Sequence, residues 1–197
     1  AGALLQGIFA NPLAEPSIIG VSSGGAVFAS GLLAIASLAG VERSYGFLKW
    51  GTALAAFIGA LLTTLLVYSL SRVQGKTVVV NLILVGVAIN AMAGGFVTLF
   101  SFIGGTMAQS QVVFWQLGSL AGAGWSSAVI TLIITVIGIV IACLCAPKMD
   151  LLALGENQAR HLGVNVERFR LCVIILVAAL VGVGVAFAGV IAFVGLI

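Results

Sequence analysis

The sequence predicts an all-α fold, a polytopic bundle of transmembrane helices, from its composition, its charge distribution and its lack of strand-like alternation. Hydrophobic residues make up 62% of the 197 residues and charged residues only 7%, whereas soluble domains carry roughly 25% charged residues. So few charges cannot provide a water-facing shell for this much apolar surface. Stretches such as 129–145 are apolar all round, as lipid-embedded helices are, and lack the alternating polarity of a membrane barrel.

Long uncharged runs lie between the eight cationic and five acidic residues, and they set the number of spans. A helix that crosses the hydrocarbon core needs about 20 apolar residues. The predicted spans lie near 16–41, 50–71, 77–103, 124–147 and 171–197. The third and fourth spans share one uncharged run, which is interrupted by a polar, glycine-rich segment at 104–123 that we expect to be irregular. We therefore predict five full spans, preceded by a partial helix at residues 1–10.

The cationic residues predict which loops face the cytoplasm. Five consecutive spans place the loops alternately on two sides of the membrane. The loops at 10–16, 72–76 and 147–170 carry six cations, and those at 42–49 and 104–123 carry two. Because short cytoplasmic loops are enriched in Lys and Arg, we predict that the first set is cytoplasmic.

Histidine and cysteine are too few and too scattered to indicate a catalytic or metal centre. Cys143 and Cys145 lie about 200° apart around a helix, and with Cys172 they fall in or beside predicted spans, as small packing residues do. His161 lies in the most charged loop, where contact with solvent or a partner is expected. The sequence contains neither HExxH nor GxSxG. We expect no bound metal, no cofactor and no enzymatic activity in this chain itself.

Two prolines interrupt the helical pattern before the first full span. Pro12 and Pro16 each lack a backbone donor, and they bias Asn11 and Glu15 away from helical conformation. The segment is either a turn at the membrane edge or a rigid loop near a cytoplasmic gate or partner surface. The residues alone leave both interpretations open.

A short helix is predicted in the loop before the last span. Gly155 and Gly163 bracket the helix-forming residues 156–162. The acidic residue of this stretch lies at the positive N-terminal end, and Arg160 and His161 lie near the negative C-terminal end.

The apolar residues of this short helix predict a contact face. Ala159 and Leu162 are three residues apart and are predicted to share a face, with Leu154 packed alongside. Such a helix either lies on the membrane or docks into a groove of a partner, or it is a plain surface linker.

The 26 glycines of the sequence favour close helix packing. Gly20 and Gly24 have the GxxxG spacing found where membrane helices approach closely. A smooth surface for helices that slide during a transport cycle is the alternative, and the number of glycines does not decide between the two.

Three sets of motifs, spread along the whole chain, carry a family resemblance. They are AGALLQ (1–6), NPLAEP (11–16), Gly20 and SGGA (23–26); then LLALGE (151–156), AR (159–160) and LG (162–163); then AGVIAFVGLI (188–197). In order and spacing they resemble FecCD-type permeases, the membrane subunits of ABC importers for iron–siderophores, haem and vitamin B12.

The resemblance implies a single permease domain over residues 1–197, with an ATPase-docking loop at 148–168. The implied docking residues are Leu154, Gly155, Glu156, Ala159, Arg160, Leu162 and Gly163. Residues at the cytoplasmic loop or gate are Asn11, Pro12, Glu15 and Pro16. Candidates to line the translocation path are Asn90, Met92, Phe96, Phe100, Met107 and Trp115. Helix packing or lipid contact is the alternative for each of the path residues.

The resemblance also implies partners and a mechanism of alternating access. The partners are a cytoplasmic ATPase dimer that binds ATP and magnesium, a second permease subunit (identical or paralogous), an extracytoplasmic substrate-binding protein and the lipid bilayer. No nucleic acid is expected, and the location is a bacterial or archaeal cytoplasmic membrane. The family pattern implies about ten spans in a complete subunit. Because the chain begins inside an apolar segment and stops without a polar tail, we expect an internal fragment.

The cargo and two other functions remain open at the level of sequence. Haem, siderophores and cobalamin all fit the resemblance, and no cation lies inside a predicted span to favour an anionic cargo. A secondary transporter driven by an ion gradient usually places ionisable residues or broken helices at the midplane, which the uncharged spans disfavour. A non-transport membrane scaffold is the third interpretation.

Overall fold

The architecture of this chain, in a computed structural model, is a set of long helices that are apolar on every side. The structure describes residues 1–40, 45–120 and 123–191, without the side chains of residues 45–47 and 107. Its helices are α1 (Gly2–Phe9), α2 (Val21–Leu38), α3 (Tyr45–Leu70), α4 (Val79–Ile103), α5 (Gly105–Leu117), α6 (Trp125–Ala153), α7 (Glu156–His161) and α8 (Val166–Ala188). A 3₁₀ turn at Pro16–Ile19 precedes α2, and a two-stranded hairpin, β1 (Arg72–Val73) with β2 (Lys76–Thr77), joins α3 to α4.

Five of these helices confirm the predicted number of spans. Within the described residues, α2, α4, α6, α8 and the part of α3 from Leu48 to Leu70 are long and apolar enough to cross a membrane. The partial helix predicted at residues 1–10 is α1. The all-α prediction is likewise confirmed, since the hairpin contributes just two residues per strand.

The segment predicted to be irregular at 104–123 instead contains the helix α5. Gly105 has a φ of +73° and redirects the chain after α4. Ala108 and Val112 are then buried, and Val112 packs in a cluster with Leu33 and Val97. Tertiary packing of this face stabilises a helix that the polar composition did not predict.

The fourth span is longer than predicted. It was expected to end at the proline at 147, but α6 continues through Pro147 to Ala153. Proline is tolerated inside membrane helices because neighbouring groups compensate for the missing hydrogen bond. At 1.5 Å per residue the 29 residues of α6 extend about 43 Å, beyond a hydrocarbon core of about 30 Å.

The last span begins earlier than predicted. Helix α8 starts at Val166 rather than at residue 171, so that Arg170 is part of a spanning helix and is 2% exposed. The expectation that no cation lies inside a span was therefore wrong. With α6 extended and α8 starting early, the predicted loop 148–168 contracts to residues 154–165.

Contacts between the loops group them at two ends of the bundle. At one end the hairpin residue Thr77 bonds to Glu167 at the start of α8, and Gly7 of α1 faces Met149 of α6. At the other end the hydroxyl of Ser37 donates to the carbonyl of Gly104 at 2.7 Å. These are the two loop sets predicted from the alternation of spans, and we call the first the α7 end.

The main core lies toward the α7 end, where α1, α3 and α8 meet. It includes Leu5, Val67, Val173 and Val177, all with no exposed surface. Most of α6 lies outside this core, since 6% of its most apolar window is buried, against 50% for α2.

Candidate functional sites: the α7 surface and the polar cavity

The short helix α7 is the element that the sequence predicted at 156–162, one residue shorter. Gly155 precedes it with φ 118° and ψ 146°, a backbone conformation that glycine adopts and residues with side chains avoid. Glu156 occupies its first turn, and Arg160 and His161 occupy its last turn. These charges have the signs that the helix dipole favours at each end.

The two faces of α7 differ from the prediction. Ala159 is fully buried in the main core, whereas Leu162 and Leu154 are 62% and 63% exposed. The predicted shared face of Ala159 and Leu162 is wrong, because α7 ends at His161 and the chain turns at Leu162. The result is an outward surface with an exposed leucine at each end of α7 and charged side chains between them.

Two charged side chains of α7 and two of α8 lie close together, and we call these four the α7 charge cluster. Arg170 Nη2 lies 2.5 Å from Glu156 Oε1, and Arg170 Nη1 lies 3.8 Å from Glu167 Oε1. Arg160 Nη2 is 3.9 Å from Glu156 and 3.8 Å from Glu167. Two glutamates and two arginines therefore alternate, and their formal charges cancel.

The hairpin between α3 and α4 is bonded to the same cluster. The backbone amide and the hydroxyl of Thr77 both donate to Glu167 Oε2, at 3.1 and 2.7 Å. The guanidinium of Arg170 reaches the carbonyl of Thr77 at 3.5 Å, and the Tyr68 hydroxyl donates to the carbonyl of Glu167 at 3.4 Å. The sequence prediction included Glu156 and Arg160 but missed Glu167, Arg170 and Thr77.

The proline segment forms a turn at the α7 end. The side chain of Asn11 accepts the backbone N–H of Leu13 at 2.9 Å, a pattern typical of Asx turns. Ala14 is buried in the main core, whereas Pro12 is exposed. Glu15 and Pro16 line a cavity of about 640 Å³ with residues of α1 and α8. The segment is thus an anchored turn beside a cavity, and its role at a gate remains a prediction.

A second cavity, of about 450 Å³, is lined by several polar side chains, and we call it the polar cavity. Its polar lining residues are Ser17, Ser22, Ser23, Asn90, Thr98 and Gln116. The Asn90 amide donates to the Ser17 carbonyl at 3.1 Å and its oxygen accepts the Ser23 hydroxyl at 2.6 Å. Asn90 lies about 16 Å from the start of α4, near the middle of that helix.

The predicted path residues are not brought together in one place. Asn90 lines the polar cavity, whereas Met92 and Phe96 are 59% and 46% exposed. Phe96 stacks on Phe100 with ring centroids 6.3 Å apart, and Phe100 lies against α2 at Gly31. The last two are Trp115, which packs against the cluster of Leu33 and Val97, and Met107, whose side chain is outside the described residues.

The polar cavity also contains residues that were not among the predicted path residues. Ser22 and Ser23 follow the proline break directly, and this juxtaposition was the available signal. Gln116 belongs to α5, the helix that was not predicted. Within the described part of the chain, no group of three or more His, Cys, Asp and Glu side chains is placed to hold a metal ion.

Five apolar spans, a broken entry into α2, and a short charged helix between two spans define a polytopic membrane protein. The FecCD transport family profile matches residues 1–197, and the chain belongs to this family. The location predicted for it, a bacterial or archaeal cytoplasmic membrane, follows from this membership and the five apolar helices.

Relatives and a solved structure match the whole length of this chain. The hemin transport system permease protein HmuU of Yersinia pestis is 35% identical over 198 residues, covering 100% of this chain and 58% of the relative. The cobalamin import system permease protein BtuC of Halobacterium salinarum is 36% identical, with coverages of 100% and 51%. The vitamin B12 import system permease protein BtuC of Vibrio vulnificus is 36% identical, with coverages of 100% and 57%.

The solved structure is described as an inward-facing conformation of a metal-chelate type ABC transporter. It is 31% identical with a TM-score of 0.83, and the match covers 99% of this chain and 60% of that one. The chain therefore spans between half and two thirds of the length of the proteins it matches.

Proposed function

We propose that this chain is the membrane-spanning part of a permease subunit in an ABC importer that moves a metal chelate or a corrinoid into the cytoplasm. Haem, an iron–siderophore and cobalamin are the proposed cargo classes. The observation that carries the proposal is the end-to-end match to the FecCD family, whose members named above are haem and cobalamin permeases. ATP hydrolysis is assigned to separate ATPase subunits.

The α7 surface is the proposed docking site for the ATPase. It presents exposed Leu154 and Leu162 on either side of a charged turn, and a short helix of this kind fits a groove in a partner. Gly155, Ala159 and Gly163 shape the helix and its two ends, while Glu156 and Arg160 contribute the charges.

The polar cavity is the proposed section of the translocation path. Its lining has hydroxyl and amide groups without a formal charge, which suits a bulky cargo with hydrogen-bonding edges. A cargo of this kind can pass a site that offers weak, replaceable hydrogen bonds rather than a deep electrostatic well.

Uptake into proteoliposomes tests the proposed function. The full-length subunit is reconstituted with its partner ATPase and the cognate binding protein, and uptake of haemin and cyanocobalamin is measured with and without ATP. The proposal expects ATP-dependent uptake of one of them, or of a ferric siderophore tested in parallel. An ATPase disabled in its nucleotide site is the control and should abolish uptake. Uptake that continues without an ATPase would instead indicate a secondary transporter, and absence of any ATPase contact would indicate a scaffold.

A further inference from the structure

We infer that Arg170 is a positioning residue that makes α7, the start of α8 and the α3–α4 hairpin move as one unit. This inference rests on the proposed function, because the force that moves α7 would come from an ATPase docked on it. The juxtaposition that carries it is a buried arginine on a spanning helix, bonded at once to α7 and to the hairpin.

The burial of Arg170 sets it apart from the other cations of this end. It is 2% exposed, and a buried guanidinium is costly unless its charge and its donors are satisfied. Glu156 supplies the nearest opposite charge and Thr77 supplies a backbone carbonyl. Arg170 Nε already has no hydrogen-bond partner among the described residues, so release of Glu156 or Thr77 would leave still more of the buried guanidinium unpaired.

The geometry connects three separate elements through one side chain. Nη2 bonds to Glu156 on α7, and Nη1 faces Thr77 in the hairpin and Glu167 on α8 itself. A planar guanidinium holds two partners in fixed directions, which a lysine ammonium does not. Glu167 completes the ring by accepting two hydrogen bonds from Thr77.

Other contacts would leave α7 more weakly connected to the hairpin. The body of α7 is fixed to the core by Ala159, a small residue that offers little contact area. Arg160 bridges Glu156 and Glu167 at distances of 3.8–3.9 Å, and its side chain is 39% exposed, so solvent weakens these ion pairs. The buried Arg170 thus provides a side-chain connection through which a displacement of α7 reaches the hairpin between α3 and α4, in addition to the short chain that joins α7 to α8.

A coupling measurement tests the inference in the full-length subunit assembled with its ATPase in proteoliposomes. We expect Arg170→Met to lower the amount of substrate moved per ATP by about tenfold, within the range usual for coupling between two sites. Haemin or cyanocobalamin serves as the probe, whichever the wild-type complex transports. Arg170→Lys should recover part of the ratio, because it keeps the charge and loses the second, fixed donor.

Two further variants separate coupling from folding. Glu156→Gln removes the negative charge that faces Arg170. The Glu156 side chain is 48% exposed, so this variant should fold even if Arg170→Met does not. It should also lower the amount of substrate moved per ATP. Arg168→Ala, two residues from Arg170 and exposed, is the matched control and should leave the ratio unchanged.

Distances between spin labels give a readout that a purely structural role would not change. Labels are placed on exposed residues of α7 and the hairpin, by Gln158→Cys and Gln74→Cys, with the native cysteines replaced. The inference expects the same distance in the nucleotide-free and ATP-bound wild-type complex, and a distance that changes with nucleotide in Glu156→Gln. A distance that already changes in the wild type, or a coupling ratio unaltered in both variants, would overturn the inference. If the wild-type subunit does not bind the ATPase at all, the proposed function is overturned instead.

Discussion

At the scale of single residues, the absence of a side chain sets how closely α2 and α3 approach. A Cβ at Gly24 would overlap the carbonyl oxygen of Gly59 and the side chain of Thr63, and a Cβ at Gly59 would overlap the carbonyl oxygen of Gly24. Backbone cannot move aside as a flexible side chain can. The packing role predicted for the glycines is therefore confirmed at this crossing.

Gly24→Ala is expected to destabilise the bundle. Overpacking a tight contact costs about 1–3 kcal/mol, and the neighbour here is backbone. Thermal unfolding in detergent should show a lower midpoint. Gly95→Ala is the control, because nothing lies within 4 Å of a Cβ at that position, and a helical Gly→Ala exchange with free space is favourable by up to about 1 kcal/mol. Equal unfolding midpoints for the two variants would contradict the close approach of α2 and α3 at Gly24.

The neighbouring glycines Gly94 and Gly95 allow the polar cavity to be tested one residue at a time. Both have free space beside the backbone, since nothing lies within 4 Å of where a Cβ would stand at either position. Gly94 lines the polar cavity together with Asn90, whereas Gly95 is absent from its lining. A larger side chain is therefore tolerated sterically at both positions and enters the cavity from one of them.

Gly94→Leu is expected to reduce ATP-dependent uptake by about tenfold or more while leaving assembly with the ATPase intact, because it blocks a path without disturbing packing. Uptake into proteoliposomes and co-purification of the ATPase are the two measurements. Gly95→Leu should retain uptake. If both variants transport normally, the cavity is not part of the path.

At the scale of elements, the position of α7 depends on the backbone conformation of the glycine before it. Gly155 has φ 118° and ψ 146°, a region that side-chain-bearing residues avoid at a cost of roughly 1–3 kcal/mol. There is nothing within 4 Å of a Cβ there, so strain rather than crowding would oppose a substitution. The φ of Gly163, +86°, is nearer the left-handed region that asparagine tolerates.

Gly155→Asn is therefore expected to shift α7 and to reduce substrate moved per ATP several-fold, with Gly163→Asn as the milder counterpart. Coupled uptake in proteoliposomes measures both, and co-purification reports on docking. Should Gly155→Asn couple as well as Gly163→Asn, the backbone geometry before α7 does not matter for docking.

Local patterns predicted the elements whose cause is local. Five spans follow from uncharged runs, and α7 follows from two glycines and charges that suit its dipole. Helix α5 was missed because burial of Ala108 and Val112 against other helices stabilises it. The extension of α6 was missed because the predicted span ended with the uncharged run before Lys148, whereas α6 continues past this charge to Ala153.

The candidate sites were predicted less completely than the elements. Asn90 was identified as a polar residue within a span, but its bonds to Ser17 and Ser23 connect positions 73 and 67 residues away. Arg170 was placed outside a span, although its buried side chain pairs with the half-exposed Glu156 of α7. A spacing of three between Glu167 and Arg170 at the start of α8 was the local signal, and it does not reveal the partner on α7.

At the scale of the whole molecule, the bundle is buried unevenly. The most apolar window of α6 is 6% buried and that of α4 is 22% buried. Exposed side chains such as Leu132, Ile137 and Leu144 of α6 would be costly in water. These faces suit lipid, or the second permease subunit proposed above, and they are consistent with a chain that spans part of the length of its relatives.

The loops at the two ends of the bundle differ in their number of Lys and Arg residues, and this difference predicts the orientation in the membrane. The α7 end contains the hairpin, α7 and the cluster of Arg160 and Arg170, whereas at the opposite end Trp125 is 89% exposed at the start of α6, where aromatic residues favour the interface. With every native cysteine of the full-length subunit replaced by alanine, Cys143, Cys145 and Cys172 among them, Gln74→Cys and Ser126→Cys mark the two ends, and both positions are exposed.

A membrane-impermeant thiol reagent should label Ser126→Cys in intact cells, and Gln74→Cys after the membrane is permeabilised. The physical reason is the excess of Lys and Arg in the loops of the α7 end, six against two, which retains those loops in the cytoplasm. A protein with all native cysteines replaced and none introduced gives the background. Labelling of Gln74→Cys in intact cells would show that the orientation is the opposite of the predicted one. It would also remove α7 from the reach of a cytoplasmic ATPase, so this one measurement bears on the docking proposal as well as on topology.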